Sequence, residues 1–182
     1  MEFLIFVDMS DPRGAFLKAK LELEGVEPTP RWVFVSVVHQ RLWAYEGDKC
    51  VMEMPCSTGI KPPSCAWGSH GTPLGLHKVA EKFGEGAAPG TVFEQRVSTG
   101  RVASPDEEKG LITSRILWLE GVEDGKNLGY ECGSHNRKIY IHGTNREVHV
   151  GTRFSAGCVN LRNADVIKLF DWAREGDWVM ID

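Results

Sequence analysis

The sequence predicts a mostly β fold, a sandwich or barrel with one late α-helix and a small N-terminal α/β addition. Three observations carry that prediction. Short apolar, β-branched and aromatic runs recur from residue 31 onward, and Gly and Pro punctuate them. Only one convincing helical pattern follows residue 30, and the strand–helix alternation of a parallel α/β sheet is missing. The chain has 182 residues, 42% of them hydrophobic, enough for one domain with a substantial core or one domain plus a small addition.

Residues 2–7 read as a short strand. Asp11 and Pro12 then supply an N-cap and an N1 proline for a helix ending near Gly25, with Phe16, Leu17, Leu21 and Leu23 as its apolar face. Pro28-Thr29-Pro30 breaks the chain, so residues 1–30 are expected to be an N-terminal extension packing on a main domain of residues 31–182. Strands are expected over 32–38, 41–45 and 50–54, with a Glu46-Gly47-Asp48 turn between the last two. A Gly- and Pro-rich loop runs from Gly59 to Gly75, and further strands are expected at 76–79, 91–97, 115–119 and 138–141. The late helix spans about 163–174 with Asn163 as N-cap and Gly176 at its end, and residues 178–181 close as a strand.

The formal net charge of −4 and the lack of a Lys/Arg cluster argue against nucleic-acid or anionic-membrane partners. The apolar run of residues 3–7 is too short to span a bilayer, and Glu2 and Asp8 flank it where a signal peptide would be positive. A cytoplasmic location is therefore expected, or a periplasmic one if an export signal has been removed. Cys50, Cys56, Cys65, Cys132 and Cys158 are odd in number and lack the spacing of a disulfide framework, which points to a reducing compartment. Cys50, Cys56 and Cys132 read as small half-buried residues in or near strands, and Cys65 in its Pro/Ser-rich loop stays open.

The chemistry concentrates in Ile141-His142-Gly143-Thr144 and Ser155-Ala156-Gly157-Cys158-Val159-Asn160. A thiolate attacks carbonyls and a thiol does not, so a catalytic cysteine needs a base, and His142 at a strand end could hold a rigid imidazole for Cys158. Gly157 removes a Cβ where a substrate carbonyl must approach and frees the backbone to aim N–H groups at an oxyanion. The competing reading is a structural cysteine in a glycine turn.

The ordered landmarks favour the catalytic reading. His142-Gly143 followed by Ser155-Ala156-Gly157-Cys158-Val159-Asn160, the upstream hairpin of residues 35–45, Ser57-Thr58-Gly59, and Gly71-Thr72-Pro73-Leu74-Gly75 together resemble the L,D-transpeptidase (YkuD-like) catalytic domain over about residues 31–182. The resemblance implies a YkuD-like β-sandwich or barrel and a cysteine enzyme of peptidoglycan stem peptides, with no cofactor and no metal. Such enzymes attack the amide between the L-centre of a diamino acid, usually meso-diaminopimelate, and the following D-Ala. They form a thioester and pass it to an amine or to water. It also implies acylation by carbapenem-type inhibitors. Carried onto this sequence, Cys158 is the nucleophile and His142 the base. Gly143 offers the carbonyl that orients the imidazole, and the N–H groups of Gly157 and Cys158 form the oxyanion hole. Ala156 departs from the pattern, since most members carry a second His there.

Around this pair, Ser155, Ala156 and Asn160 are candidate substrate contacts from the motif itself. Arg153 and Arg162 could pair with a substrate carboxylate, His77 could line the cleft, and Trp67 could touch sugar or stem peptide. His39, His70, His135 and His149 read as turn or loop residues. The expected activity is L,D-carboxypeptidase trimming of terminal D-Ala from soluble tetrapeptide or muropeptide during peptidoglycan recycling. An exported cross-linking L,D-transpeptidase and a non-catalytic peptidoglycan-binding module are the alternatives.

Overall fold

The structure, a computed structural model, describes residues 11–104 and 106–182, so the strand expected over 2–7 lies outside the described residues. The helix α1 (Pro12–Glu24) starts as its sequence dictates: the Asp11 carboxylate accepts the Arg13 amide at 3.0 Å, Pro12 needs no donor, and Gly25 ends it in the left-handed region. Tyr45 donates to the other Asp11 oxygen at 2.6 Å, which ties the helix start to the sheet. Only Leu17 and Leu21 are buried; Phe16 and Leu23 are 40% and 74% exposed, because the helix touches the sheet along one i, i+4 stripe. That stripe packs on Trp32, Phe34, Tyr45, Leu76, Trp178 and Met180.

Ten strands follow: β1 (Arg31–Ser36), β2 (Arg41–Glu46), β3 (Lys49–Pro55), β4 (Gly75–Phe83), β5 (Thr91–Glu94), β6 (Val97–Val102), β7 (Ile112–Gly121), β8 (Tyr140–Thr144), β9 (Val159–Leu161) and, after the helix α2 (Asn163–Trp172), β10 (Trp178–Ile181). Their order is β3-β2-β1-β10-β4-β7, with the β5–β6 hairpin on β7, and β8 then β9 extending the sheet beyond β7. The β1–β10 and β8–β9 pairs are parallel and the others antiparallel. Just past β3, the Ser57 amide donates to Asn160 O at 2.9 Å and the Asn160 amide to Ser57 O at 2.8 Å. That bridge brings the far edge of the sheet back to its first edge. The curled sheet encloses Val33, Val35, Leu42, Leu117, Ile141, Val159, Leu161 and Ile181, and α2 adds Val166, Leu169 and Phe170 to the same core.

Three local expectations are corrected. Residues 91–97 are two strands, β5 and β6, because Gln95 and Arg96 both take positive φ (46° and 71°) and turn the chain without a glycine. β9 is a strand that periodicity does not announce. Asn163 is the first residue of α2 and its side chain is no cap: Arg162 is the N-cap, the Asn163 carbonyl accepts from Thr113 and Ser114, and its amide donates to Thr144 O and Glu147. The helix ends at Trp172, short of Gly176.

Candidate active site

The parallel β8–β9 pair builds the site. Its register matches Ile141 with Val159 and His142 with Asn160. Ile141 and Val159 point into the core, so alternation puts Tyr140, His142, Cys158 and Asn160 on the other face. His142 and Cys158 are thereby diagonal neighbours, and the Tyr140 amide lies 3.4 Å from Cys158 Sγ.

His142 is 5% exposed, and its Nδ1 lies 2.7 Å from Gly143 O. With Nδ1 carrying the proton and donating to that carbonyl, Nε2 is left as an acceptor. Gly143 cannot be replaced at this packing, since a Cβ there would sit 2.6 Å from Thr113 O. Burial holds the His142 imidazole down to about 4; the hydrogen bond to Gly143 works against that shift. Burial pushes the Cys158 thiol up to about 11, opposed by the Tyr140 amide and by the charge of Arg137. The resting pair is a neutral imidazole and a protonated thiol.

The turn before Cys158 is internally braced. Ser155 Oγ donates to Cys158 O at 2.6 Å and accepts the Gly157 amide at 3.1 Å. Gly157 has φ +124°, which a side chain would strain, and a Cβ there would meet Gly71 O at 3.0 Å. Two expectations change here. Ser155 is a turn brace and not an open substrate contact, and the Gly157 N–H is already engaged by it. The Cys158 amide has no acceptor among the described residues, and is the donor left for an oxyanion.

A cavity of about 170 Å³ opens at Cys158, lined by Trp67, Gly68, His70, Arg137, Ile139 and Ala156. Trp67 and Ala156, both candidate substrate contacts from sequence, are among the residues that line this cavity. Asn160 is buried opposite His142 with its Oδ1 unpartnered among the described residues. His77 is a correction: it is fully buried, with Nδ1 2.9 Å from Gly75 O and Nε2 2.8 Å from Ser134 Oγ, so it cannot line the cleft. Arg153 and Arg162 are exposed, and neither lines the cavity. His149 pairs with Arg146, and His135 stacks on Trp118 at 3.8 Å.

Two residues were missed by sequence reasoning. Arg137 donates to Ser64 O (2.9 Å), Gly71 O (3.0 Å) and Ser69 Oγ (3.2 Å), which fastens the Gly59–Gly75 loop beside the thiol. Tyr140 packs against Cys158, and its hydroxyl accepts from Arg96 at 3.1 Å. The one available hint is Arg137's place just before the strand that carries His142. Thr72 completes the brace: its hydroxyl accepts the Gly59 amide and donates to Gly157 O, both at 2.8 Å.

The family described as the YkuD L,D-transpeptidase catalytic domain matches residues 30–181. YqjB of Bacillus subtilis (strain 168), provisionally named an L,D-transpeptidase, is 40% identical over 55 residues, which is 30% of this chain and 31% of that protein. The L,D-transpeptidase from Mycobacterium smegmatis has the same fold at a TM-score of 0.54 and 18% identity, over 84% of this chain and 58% of that one. L,D-transpeptidase 3 from Mycobacterium tuberculosis, solved with a faropenem-derived adduct, gives 0.54 at 15% identity, over 84% and 60%. The chain thus spans less than two thirds of the length of these relatives.

Proposed function

The chain belongs to the L,D-transpeptidase catalytic domain family, and from that premise we propose that it is a cysteine acyltransferase of peptidoglycan stem peptides. The observation that supports this most strongly is the placement of His142 and Cys158 as diagonal neighbours on one face of β8–β9, with His142 Nδ1 held by Gly143 O. In this reading a stem-peptide amide enters at Trp67 and Ala156 with its carbonyl oxygen at the Cys158 amide. His142 Nε2 takes the thiol proton as Sγ attacks the carbonyl carbon. Collapse of the tetrahedral adduct breaks the C–N bond, the imidazolium returns the proton to the leaving D-Ala amine, and the acyl group stays on Cys158 as a thioester. The low basicity of His142 favours return of the proton to the leaving amine, whereas its removal from the Cys158 thiol, made less acidic by burial, is the uphill transfer of the cycle.

The finer proposal is that water accepts the acyl group, making the protein an L,D-carboxypeptidase of soluble tetrapeptides or muropeptides. The small cavity at the thiol supports it, since water needs no acceptor site of its own. With hydrolysis goes a place in cytoplasmic peptidoglycan recycling; cell fractionation tests that, and a protein found only outside the membrane contradicts it. One observation favours the transpeptidase alternative: a groove of about 730 Å³, lined in part by Cys65, Trp67, Tyr130 and Asn136, shares Trp67 with the cavity and has room for an amine-bearing stem. Incubation of the purified protein with soluble tetrapeptide decides between them. Free D-Ala and tripeptide are the expected products; cross-linked dimers or D-amino acid exchange alone would sink the hydrolytic reading. Because one structural neighbour was solved with a faropenem-derived adduct and another in complex with imipenem, penem- and carbapenem-type β-lactams are proposed as acylating inhibitors of Cys158.

A further inference from the structure

Two cysteines outside the catalytic pair meet where the cavity walls meet. Cys65 lies in the Gly59–Gly75 loop and Cys132 in the loop between β7 and β8, and their sulfurs are 2.9 Å apart across 67 residues of sequence. The other three cysteines differ in setting: Cys56 is fully buried, Cys50 lies exposed on β3, and Cys158 is at the candidate site. Both Cys65 and Cys132 are partly exposed and border the larger groove beside Trp67, so a small thiol reagent reaches them.

The two loops they join are the walls of the Cys158 cavity. The first contributes Trp67, Gly68 and His70, and the second leads into Arg137 and Ile139. Among the described residues, noncovalent ties between them run through Arg137, to Ser64 O, Ser69 Oγ and Gly71 O, and through the Asn127 side-chain amide, which donates to Leu74 O at 3.0 Å. The first loop is also what braces the nucleophile's turn, through Thr72 and Gly157.

We propose that Cys65 and Cys132 form a disulfide that staples these two loops and holds the cavity at Cys158 in shape. A small-molecule disulfide such as oxidised glutathione is the oxidant. One cysteine thiolate attacks it, forming a mixed disulfide and releasing one glutathione thiolate. The second cysteine thiolate then attacks the mixed disulfide at the protein sulfur and releases the other. Two protein thiols and one glutathione disulfide thus become one protein disulfide and two glutathione thiols. In a reducing compartment the pair is a reversible switch on cavity order; in an oxidising one it is a permanent staple. The inference about cavity order rests on the Cys158 reading, whereas the bond itself does not.

The test uses the whole chain, reduced and then equilibrated with glutathione disulfide, alkylated and digested without reduction. The expected result is a linked pair of peptides containing Cys65 and Cys132, with Cys158 and Cys50 alkylated. Because the bond closes a long loop, the oxidised form should melt about 5–10 °C above the reduced form. The Cys65→Ser, Cys132→Ser double variant should lose that difference and acylate severalfold more slowly with a carbapenem. Alkylation of both Cys65 and Cys132 after oxidant treatment, or a bond from either to Cys158 or Cys50, overturns the proposal, and the wild-type digest gives that answer even if the variant fails to fold. A linked pair with no change in acylation rate keeps the bond and removes its role in the cavity. A linked pair in a protein that never acylates leaves the bond standing and fails the Cys158 reading instead.

Discussion

Burial fixes the protonation of the candidate pair before any substrate arrives: His142 is held down to about 4 and Cys158 up to about 11. Between those values the imidazole is neutral and the thiol protonated, so the thiolate forms only as the proton moves to Nε2. The acylation rate is therefore expected to be flat from about pH 6 to 9 and to fall below about pH 5; a tenfold rise per pH unit through neutrality, followed by stopped-flow with a carbapenem, contradicts this. His142→Gln should slow acylation by about 10²–10⁴-fold at unchanged melting temperature. Gly157→Ala places a Cβ at φ +124° against Gly71 O and should cost about 1–3 kcal/mol together with at least a tenfold loss of acylation. Cys158, His142 and Gly157 could be read from sequence because reactive or conformationally special residues sit there in a spaced motif. Arg137 and Tyr140 could not, because they act through backbone carbonyls and a backbone amide, which no side-chain pattern encodes. His77 misled for the opposite reason: it follows the Gly71–Gly75 landmark in sequence, but its strand turns it inward to Ser134.

At the scale of elements, α1 is held by two leucines, and Leu17→Ala or Leu21→Ala should each cost about 2–4 kcal/mol in denaturant unfolding. The loop that walls the cavity is held by Thr72, so Thr72→Val, close in shape but without the hydroxyl, should strand the Gly59 amide and cost about 1–3 kcal/mol. It should also slow acylation, since Gly157 O loses its donor; an unchanged rate would show that the brace does not position the thiol. The first three strands and α1 were legible because their own residues decide them: β-branched runs around Gly47, and an Asp-Pro start before an amphipathic stripe. β9 was not, because three residues become a strand only by pairing with β8 and bridging to Ser57. The turn at Gln95 and Arg96 was hidden because neither residue favours positive φ, and the surrounding hairpin imposes it.

The whole molecule carries two fully or nearly buried neutral histidines, His77 and His142, both held down to about 4 from 6.5. Between those pH values the unfolded chain binds protons that the folded one refuses, so stability falls as pH drops from about 6.5 toward 4, by about 3 kcal/mol for each histidine. Glu123 acts in the same sense at lower pH: burial works to raise its carboxyl, but hydrogen bonds from Lys20, the Leu76 amide and Lys126 outweigh it and keep it below its ordinary value. A urea midpoint that is constant from about pH 7 to 4.5 would contradict this linkage. The barrel-like closure at Ser57 and Asn160 joins these levels, because the bridge that shuts the sheet lies on β9, the strand that begins one residue after Cys158. The central claim is that this thiol is acylated with His142 as its base, and intact-mass spectrometry after incubation with a carbapenem tests it most directly. One adduct per chain, mapped to the peptide containing Cys158, absent from Cys158→Ala and slow to form in His142→Gln, is the predicted result; no adduct, or one on Cys50, Cys65 or Cys132, would contradict it.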